Sequence, residues 1–103
     1  MNDKPVIRRE LADNDVNDAI SYYASHSELA TLGFIDELER TYKLISAQPR
    51  IGSPRYGYEL GLSDLLFQKL DRYPYIIFYY EQEDHIDIWR VLHEKRDIPA
   101  HLN

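Results

Sequence analysis

Apolar and polar positions in the first half of the chain alternate with the period of amphipathic helices. A first helix is predicted from one apolar face, made of Val16, Ala19, Ile20 and Tyr23. One of the short polar residues just before that face is expected to be the N-cap of this helix: Asp13, Asn14 or Asp15. Upstream, residues 6–10 contain a short apolar stretch that predicts a first strand.

A second, longer helix is predicted after a break at residues 25–27. Ser27 is its expected N-cap, and the helix ends near Gln48 because a proline follows. Its stripe consists of Ala30, Phe34, Leu38, Thr41 and Ile45. On its outer side two acids each stand four residues before a base, which favours two ion pairs: Asp36 with Arg40 and Glu39 with Lys43.

The second half of the chain has the pattern of a loop followed by strands. Residues 49–64 hold three of the four glycines and two of the five prolines, so they predict an ordered loop. Residues 65–70, 75–80 and 86–92 are rich in β-branched and aromatic types and predict three strands. The turns between them are short enough to require antiparallel hairpins. The predicted fold is α+β: strand–helix–helix–strand–strand–strand, with a helical pair on a mainly antiparallel sheet, in one domain over residues 1–103.

Both faces of the last predicted hairpin are apolar. In its first strand Tyr75, Ile77 and Tyr79 alternate with Ile76, Phe78 and Tyr80; in its second, Ile86, Ile88 and Leu92 are expected to oppose Trp89 and Val91. Two helices adjacent in sequence would cover one of these faces. The other face is expected to be covered by the loop and the C-terminal tail, or by a second polypeptide.

Composition narrows the classes of function. The 103 residues include 12 Lys+Arg and 18 Asp+Glu, a formal net charge of −6, which argues against direct or sequence-specific binding of nucleic acid. The chain has no cysteine, which excludes disulfides, thiolate metal sites and thiol nucleophiles. No stretch resembles a signal peptide or membrane span, so we expect a cytoplasmic protein that does not enter the membrane.

Several residues, in order, resemble one known family. They are Tyr22 and Tyr23 near the end of the first helix, Phe34 and Leu38 in the second, then Pro49 and Gly52. Residues 86–97, Ile-Asp-Ile-Trp-Arg-Val-Leu-His-Glu-Lys-Arg-Asp, are similar to the closing pattern I-x-I-x-R-V-x-H-x-x-R-D. Together they resemble the ParE/RelE toxins of type II toxin–antitoxin systems, in the ParE or plasmid-stabilisation branch, over residues 6–102.

The resemblance implies a small bacterial toxin that inhibits growth until a cognate, ParD-like antitoxin wraps its C-terminal segment over it. ParE members poison DNA gyrase, whereas RelE members cut messenger RNA in the ribosome. The net charge of −6, and Ser63 where many members carry Arg after Gly-Leu, favour the gyrase inhibitor, acting by protein contact and without a cofactor. The alternatives are a ribosome-dependent mRNA interferase and a non-toxic binding module that retains the fold.

The candidate site residues follow from these alternatives. The tail, residues 90–101, is predicted to contact the target through Arg90, His93, Lys95 and Arg96. If the chain is a nuclease, His93 is the expected acid/base, and the cations that hold the phosphate are Arg90, Arg96 and Lys69. The predicted antitoxin-binding residues are Tyr75, Ile77, Tyr79, Trp89 and Val91.

Each basic candidate also has a purely structural interpretation. Arg90 could pair with a carboxylate such as Asp97 or Glu94, or cap a helix end. His93 could fix the exit of the last strand by hydrogen bonds. Lys69 and Arg72 flank a turn, where solvated charges are common.

Overall fold

The computed structural model describes residues 3–102, so Met1, Asn2 and Asn103 of the predicted domain lie outside the described part. Its elements in chain order are β1 (Val6–Arg8), α1 (Glu10–Ala24), α2 (Glu28–Ala47), a 3-10 turn (Pro49–Ile51), α3 (Arg55–Leu60), β2 (Leu66–Lys69), β3 (Tyr75–Glu81), β4 (Ile86–His93) and α4 (Ile98–His101). The four strands form one sheet in the order β1-β4-β3-β2. β1 runs parallel to β4, and the other two pairings are antiparallel, so the predicted α+β fold is confirmed.

The two long helices differ in how they begin. The Ser27 hydroxyl accepts a hydrogen bond from the Ala30 N–H, which confirms the predicted N-cap of α2. By contrast, α1 begins at Glu10, before the predicted caps, and Arg9 at its N-cap makes no side-chain cap. The prediction of a cap at residues 13–15 is therefore wrong.

The charged side chains on the outer side of α2 do not pair with one another. Neither Asp36 with Arg40 nor Glu39 with Lys43 is among the ion pairs of residues 3–102, so that prediction is also wrong. These four side chains project into solvent from the longest helix.

The segment predicted as a loop contains the 3-10 turn and α3. Gly57 lies inside α3, where a Cβ would approach the carbonyl oxygens of Leu62 and Leu65 to 2.6 and 3.0 Å. Gly61 ends α3 in the left-handed conformation, at φ +67°, which glycine adopts without steric cost. The glycines in this segment therefore fold the chain closely over the sheet.

Side chains cover both faces of the sheet. One face packs under α1 and α2, where Phe34, Leu38 and Ile45 of α2 share one buried core with Ile77 and Tyr79 of β3. The opposite face is covered by the α3 segment and by the tail; its core members are Leu65, Ile76, Phe78, Leu92, Ile98 and Leu102. Of the two alternatives for this second face, the structure shows coverage by the loop and the tail, and not an open face left for a second polypeptide. Among residues 3–102, no helix has the length and apolar character to cross a lipid bilayer.

A β-bulge in β4 changes which face its last residues occupy. Tyr79 lies opposite Ile88 and Phe78 opposite Arg90, so Trp89 is an extra residue in β4. Beyond it the alternation shifts by one. Val91 lies on the face under the helices and Leu92 on the other, which corrects the predicted assignment of both residues.

Candidate functional site

A cleft of about 550 Å³ lies between α1, the turn before β3 and the C-terminal half of β4. Three of the predicted target-contact residues line it, namely Arg90, His93 and Arg96, together with two of the predicted antitoxin-binding residues, Tyr75 and Val91. The rest of its lining is Asp15, Asp18, Ala19, Tyr22, Tyr23, Pro74, Tyr75, Val91 and Leu92. Lys69 and Lys95 are not part of this lining. The cleft is the candidate functional site because it combines predicted cations with an aromatic and acidic wall.

Arg90 is bound to groups of the protein itself. Its Nε and Nη2 each donate to a carboxylate oxygen of Asp15 at 2.8 Å, and its Nη1 donates to the His101 carbonyl at 3.0 Å. The two side chains are only 14% and 12% exposed. The hydrogen bond to Asp15 raises the pKa of the guanidinium. The structural interpretation is therefore confirmed, with Asp15 as the carboxylate in place of the predicted Asp97 or Glu94.

Asp15 also completes the hydrogen bonding of the sheet. β1 ends at Arg8, and past the bond from the Arg9 N–H to the Ile88 carbonyl no strand of residues 3–102 pairs with β4 on that side. The Val91 N–H points out of this open edge and donates to Asp15 Oδ2 at 3.0 Å. One carboxylate on α1 thus satisfies both an arginine and a strand-edge amide, which fixes the position of α1 against β4.

His93 is held in place at the exit of β4. Its Nδ1 accepts a hydrogen bond from the Lys95 N–H at 3.1 Å, and its carbonyl accepts one from the Arg96 N–H at 3.0 Å. The ring lies edge-on to Tyr75 with 5.2 Å between ring centroids. The structural interpretation of His93 is confirmed. With Nδ1 accepting, the neutral ring carries its proton on Nε2.

Lys69 lies apart from the cleft, on β2. Its ammonium forms an ion pair with Glu94, and this bond lowers the pKa of the Glu94 carboxyl. Lys69 is therefore paired within the protein and does not line the cleft with Arg90, His93 and Arg96.

The charged groups that remain available in the cleft are Arg96 and Asp18. Both side chains are exposed, and neither forms an ion pair within residues 3–102. Tyr22, Tyr23 and Tyr75 line the same cleft. Burial raises the pKa of Tyr23 to about 12 and also raises the pKa of Tyr75, so these phenols stay neutral near pH 7.

The predicted antitoxin-binding residues do not form a surface. Ile77, Tyr79 and Val91 are buried in the core under the helices, and Tyr75 is nearly so. Trp89 lies on the opposite face, where the Arg9 guanidinium is 5.6 Å from the centroid of one of its rings. The two helices cover most of the face that carries Tyr75, Ile77, Tyr79 and Val91, but Tyr75 and Val91 also line the cleft, so antitoxin binding by this set stays a prediction.

The α1 wall of the cleft was missed from the sequence. Asp15 was interpreted as a helix cap, and Asp18 carried no signal beyond being one of many acids. Tyr22 entered only through the family resemblance, and Tyr23 entered through that resemblance and as part of the apolar face of the first helix. A four-residue spacing between Asp18 and Tyr22 on one helix face is the signal that could have joined them.

Comparisons with known proteins agree with this fold. The model of the ParE toxin family, from the type II toxin–antitoxin system parDE, matches residues 6–98. Among solved structures, a chain described as the chromosomal ParDE toxin–antitoxin system from P. aeruginosa has a TM-score of 0.72 and 15% identity, and the match covers 87% of this chain and 95% of that one. No curated protein sequence matches. The chain therefore belongs to the ParE toxin family of type II toxin–antitoxin systems.

Proposed function

We propose that this protein is a toxin that inhibits DNA gyrase by protein contact and is neutralised by a cognate, ParD-like antitoxin. The observation that supports this proposal is the state of the cations predicted for phosphate chemistry. Arg90 is bound to Asp15, Lys69 to Glu94, and His93 to the backbone of the following turn. Each of these groups already holds a partner inside the protein.

An RNA-cutting site needs the opposite arrangement. Cations must be free to hold the scissile phosphate and to stabilise the charge that develops on it. Arg96 is the cation of the cleft that has no carboxylate partner within residues 3–102, and Asp18 lines the same cleft. A chain of net charge −6 is also repelled by RNA at long range. These features favour a protein target.

The cleft has the composition of a protein-binding surface. Tyr22 is 57% exposed at its rim, and Arg96 and Asp18 offer one charge of each sign. Tyrosine and arginine dominate the energetics of protein interfaces because they combine a large apolar area with hydrogen-bonding groups. We assign target contact to Arg96, which lines the cleft, and to the exposed Lys95 next to it in sequence, and a supporting role to Arg90 and His93.

The antitoxin is proposed to cover the same cleft and so to exclude the target. Because the toxin is acidic, an antitoxin segment that binds it tightly should use apolar anchors or basic side chains, since like charges disfavour association. A peptide with several net negative charges and few apolar residues should therefore bind weakly. Strong binding of such a peptide in a calorimetric titration would contradict this part of the proposal.

The test is a DNA gyrase supercoiling assay with the purified chain. We expect inhibition that depends on toxin concentration, weaker inhibition by the Arg96→Ala variant, and full inhibition by Arg55→Ala. Arg55 is the matched control because it is an exposed arginine on α3, outside the cleft. Unchanged supercoiling at saturating protein would refute gyrase as the target.

Two further measurements identify the alternatives if that refutation occurs. Cleavage of messenger RNA in a translating extract, lost in His93→Ala, would assign the chain to the ribosome-dependent interferases. Normal growth of cells that express the chain without an antitoxin would identify a non-toxic binding module.

A further inference from the structure

The outer side of α2 carries a stripe of exposed residues. The stripe consists of Leu29, Leu32, Asp36, Arg40, Leu44 and Ala47. Leu29 is 83% exposed, and the three leucines are among the most exposed large apolar side chains of the protein. Exposed apolar residues clustered on one helix face indicate an interaction surface.

The arrangement of this stripe is symmetric about position 38. Successive members are three, four, four, four and three residues apart, so the spacing is the same read from either end. Leu29 and Ala47 lie at equal distances on either side of the centre, as do Leu32 and Leu44, and as do Asp36 and Arg40. A stripe with this property is complementary to itself when a second copy runs antiparallel to it.

We propose that two copies of this chain associate through their α2 helices, antiparallel about a two-fold axis that passes the exposed side of α2 midway between Asp36 and Arg40. In this dimer Leu29 faces Ala47 of the second copy, and Leu32 faces its Leu44. Asp36 faces Arg40 of the second copy, and the two-fold axis repeats each contact. Charge complementarity is the argument for a second copy, because the acid and the base that would meet are not paired with each other in the single chain.

The size of the contact sets the strength of the association. α2 has 20 residues and is therefore about 30 Å long, and it would meet its partner along one stripe. Such a contact lies at the small end of specific interfaces, below about 1,200 Å², where association is weak and concentration-dependent. No α2 residue lines the cleft between α1 and β4, so the dimer leaves both clefts open. The inference is independent of the proposed gyrase target.

The test is sedimentation velocity on the purified chain from low micromolar to several hundred micromolar concentration. The mass should rise from 12.2 kDa toward twice that value as concentration increases. Asp36→Arg and Arg40→Asp should each weaken self-association by about tenfold or more, because each brings like charges together twice. A chain that stays monomeric at every concentration would overturn the proposal.

Mixing the two single variants provides the sharpest test. An Asp36→Arg chain and an Arg40→Asp chain restore both attractive contacts between them, so the mixture should form dimers that neither variant forms alone. Glu83→Arg is the matched control because it makes the same charge change in the exposed β3–β4 turn and should dimerise normally. If the wild type dimerises but the mixture stays monomeric, the interface lies elsewhere and the proposal fails.

Discussion

The pair formed by Asp15 and Arg90 yields the most discriminating prediction about stability. Replacing Asp15 with alanine leaves the Arg90 guanidinium in a site where it is 14% exposed, and it removes the acceptor of the Val91 N–H. Breaking a buried ion pair by removing one partner costs about 3–5 kcal/mol. Because this pair keeps some contact with water, we expect a loss at the lower end of this range, about 3 kcal/mol of unfolding free energy.

The assay is urea unfolding at 25 °C together with a thermal melt, both followed by circular dichroism. A loss of about 3 kcal/mol corresponds to a fall in Tm of roughly 15 °C for a domain of this size. Asp18→Ala is the matched control, since Asp18 lies one turn further along α1, is exposed and forms no ion pair within residues 3–102. It should change the unfolding free energy by less than about 0.5 kcal/mol.

A double-mutant cycle then separates the pair from its surroundings. Arg90→Ala should also destabilise the protein, but the double variant should lose less unfolding free energy than the two single variants lose together, with a coupling of about 2 kcal/mol.

The same variants test the role of Arg90 in function. If Arg90 supports the cleft, Asp15→Ala and Arg90→Ala should lower toxicity together with Tm, whereas Arg96→Ala should lower toxicity at an unchanged Tm. An Asp15→Ala protein as stable as the wild type would refute this reasoning.

Two further predictions concern other parts of the fold. Gly57→Ala should destabilise the protein by about 1–3 kcal/mol in urea unfolding, because the added Cβ meets backbone carbonyl oxygens on the next turn; a neutral effect would show that the turn can move aside. Lys4 lowers the pKa of the Glu81 carboxyl below its ordinary value of 4.5, so their pair contributes stability above about pH 4.5 that is lost as pH falls through the lowered pKa. The stability difference between wild type and Glu81→Gln should therefore be constant near neutral pH and shrink in acid; a difference that grows in acid would contradict the assignment.

Local signals predicted the elements that depend on local interactions. Ser27 caps α2 as expected because a serine hydroxyl and the third following N–H lie close in sequence. The start of α1 was predicted too late because the same local signal is misleading there. Asp13 and Asp15 look like caps, but their carboxylates are bound to Arg8 and Arg90, and the second of these partners is 75 residues away.

The sequence also failed to predict which face of the sheet the last residues of β4 occupy. Strict alternation predicts Leu92 beside Ile88, and Trp89 gives no sign that it is an extra residue. The pairing with β3 decides where the bulge falls, so the strand read alone cannot reveal it. For the site, the pattern located Arg90, His93 and Arg96 near one another, but it supplied neither their partners nor the opposite wall on α1.

The parallel pairing of β1 with β4 has a consequence for when the toxin becomes able to act. Val6 pairs with Ile86, and α1 is fastened to β4 through Arg90, so both walls of the cleft depend on contacts between the two ends of the chain. Such non-local contacts form late in folding because the loop between them must first close. A nascent chain therefore has no cleft until β4 has left the ribosome. If the cleft contacts the target, as proposed, the chain cannot bind that target before β4 is complete, and an antitoxin made at the same time would meet the cleft as it forms.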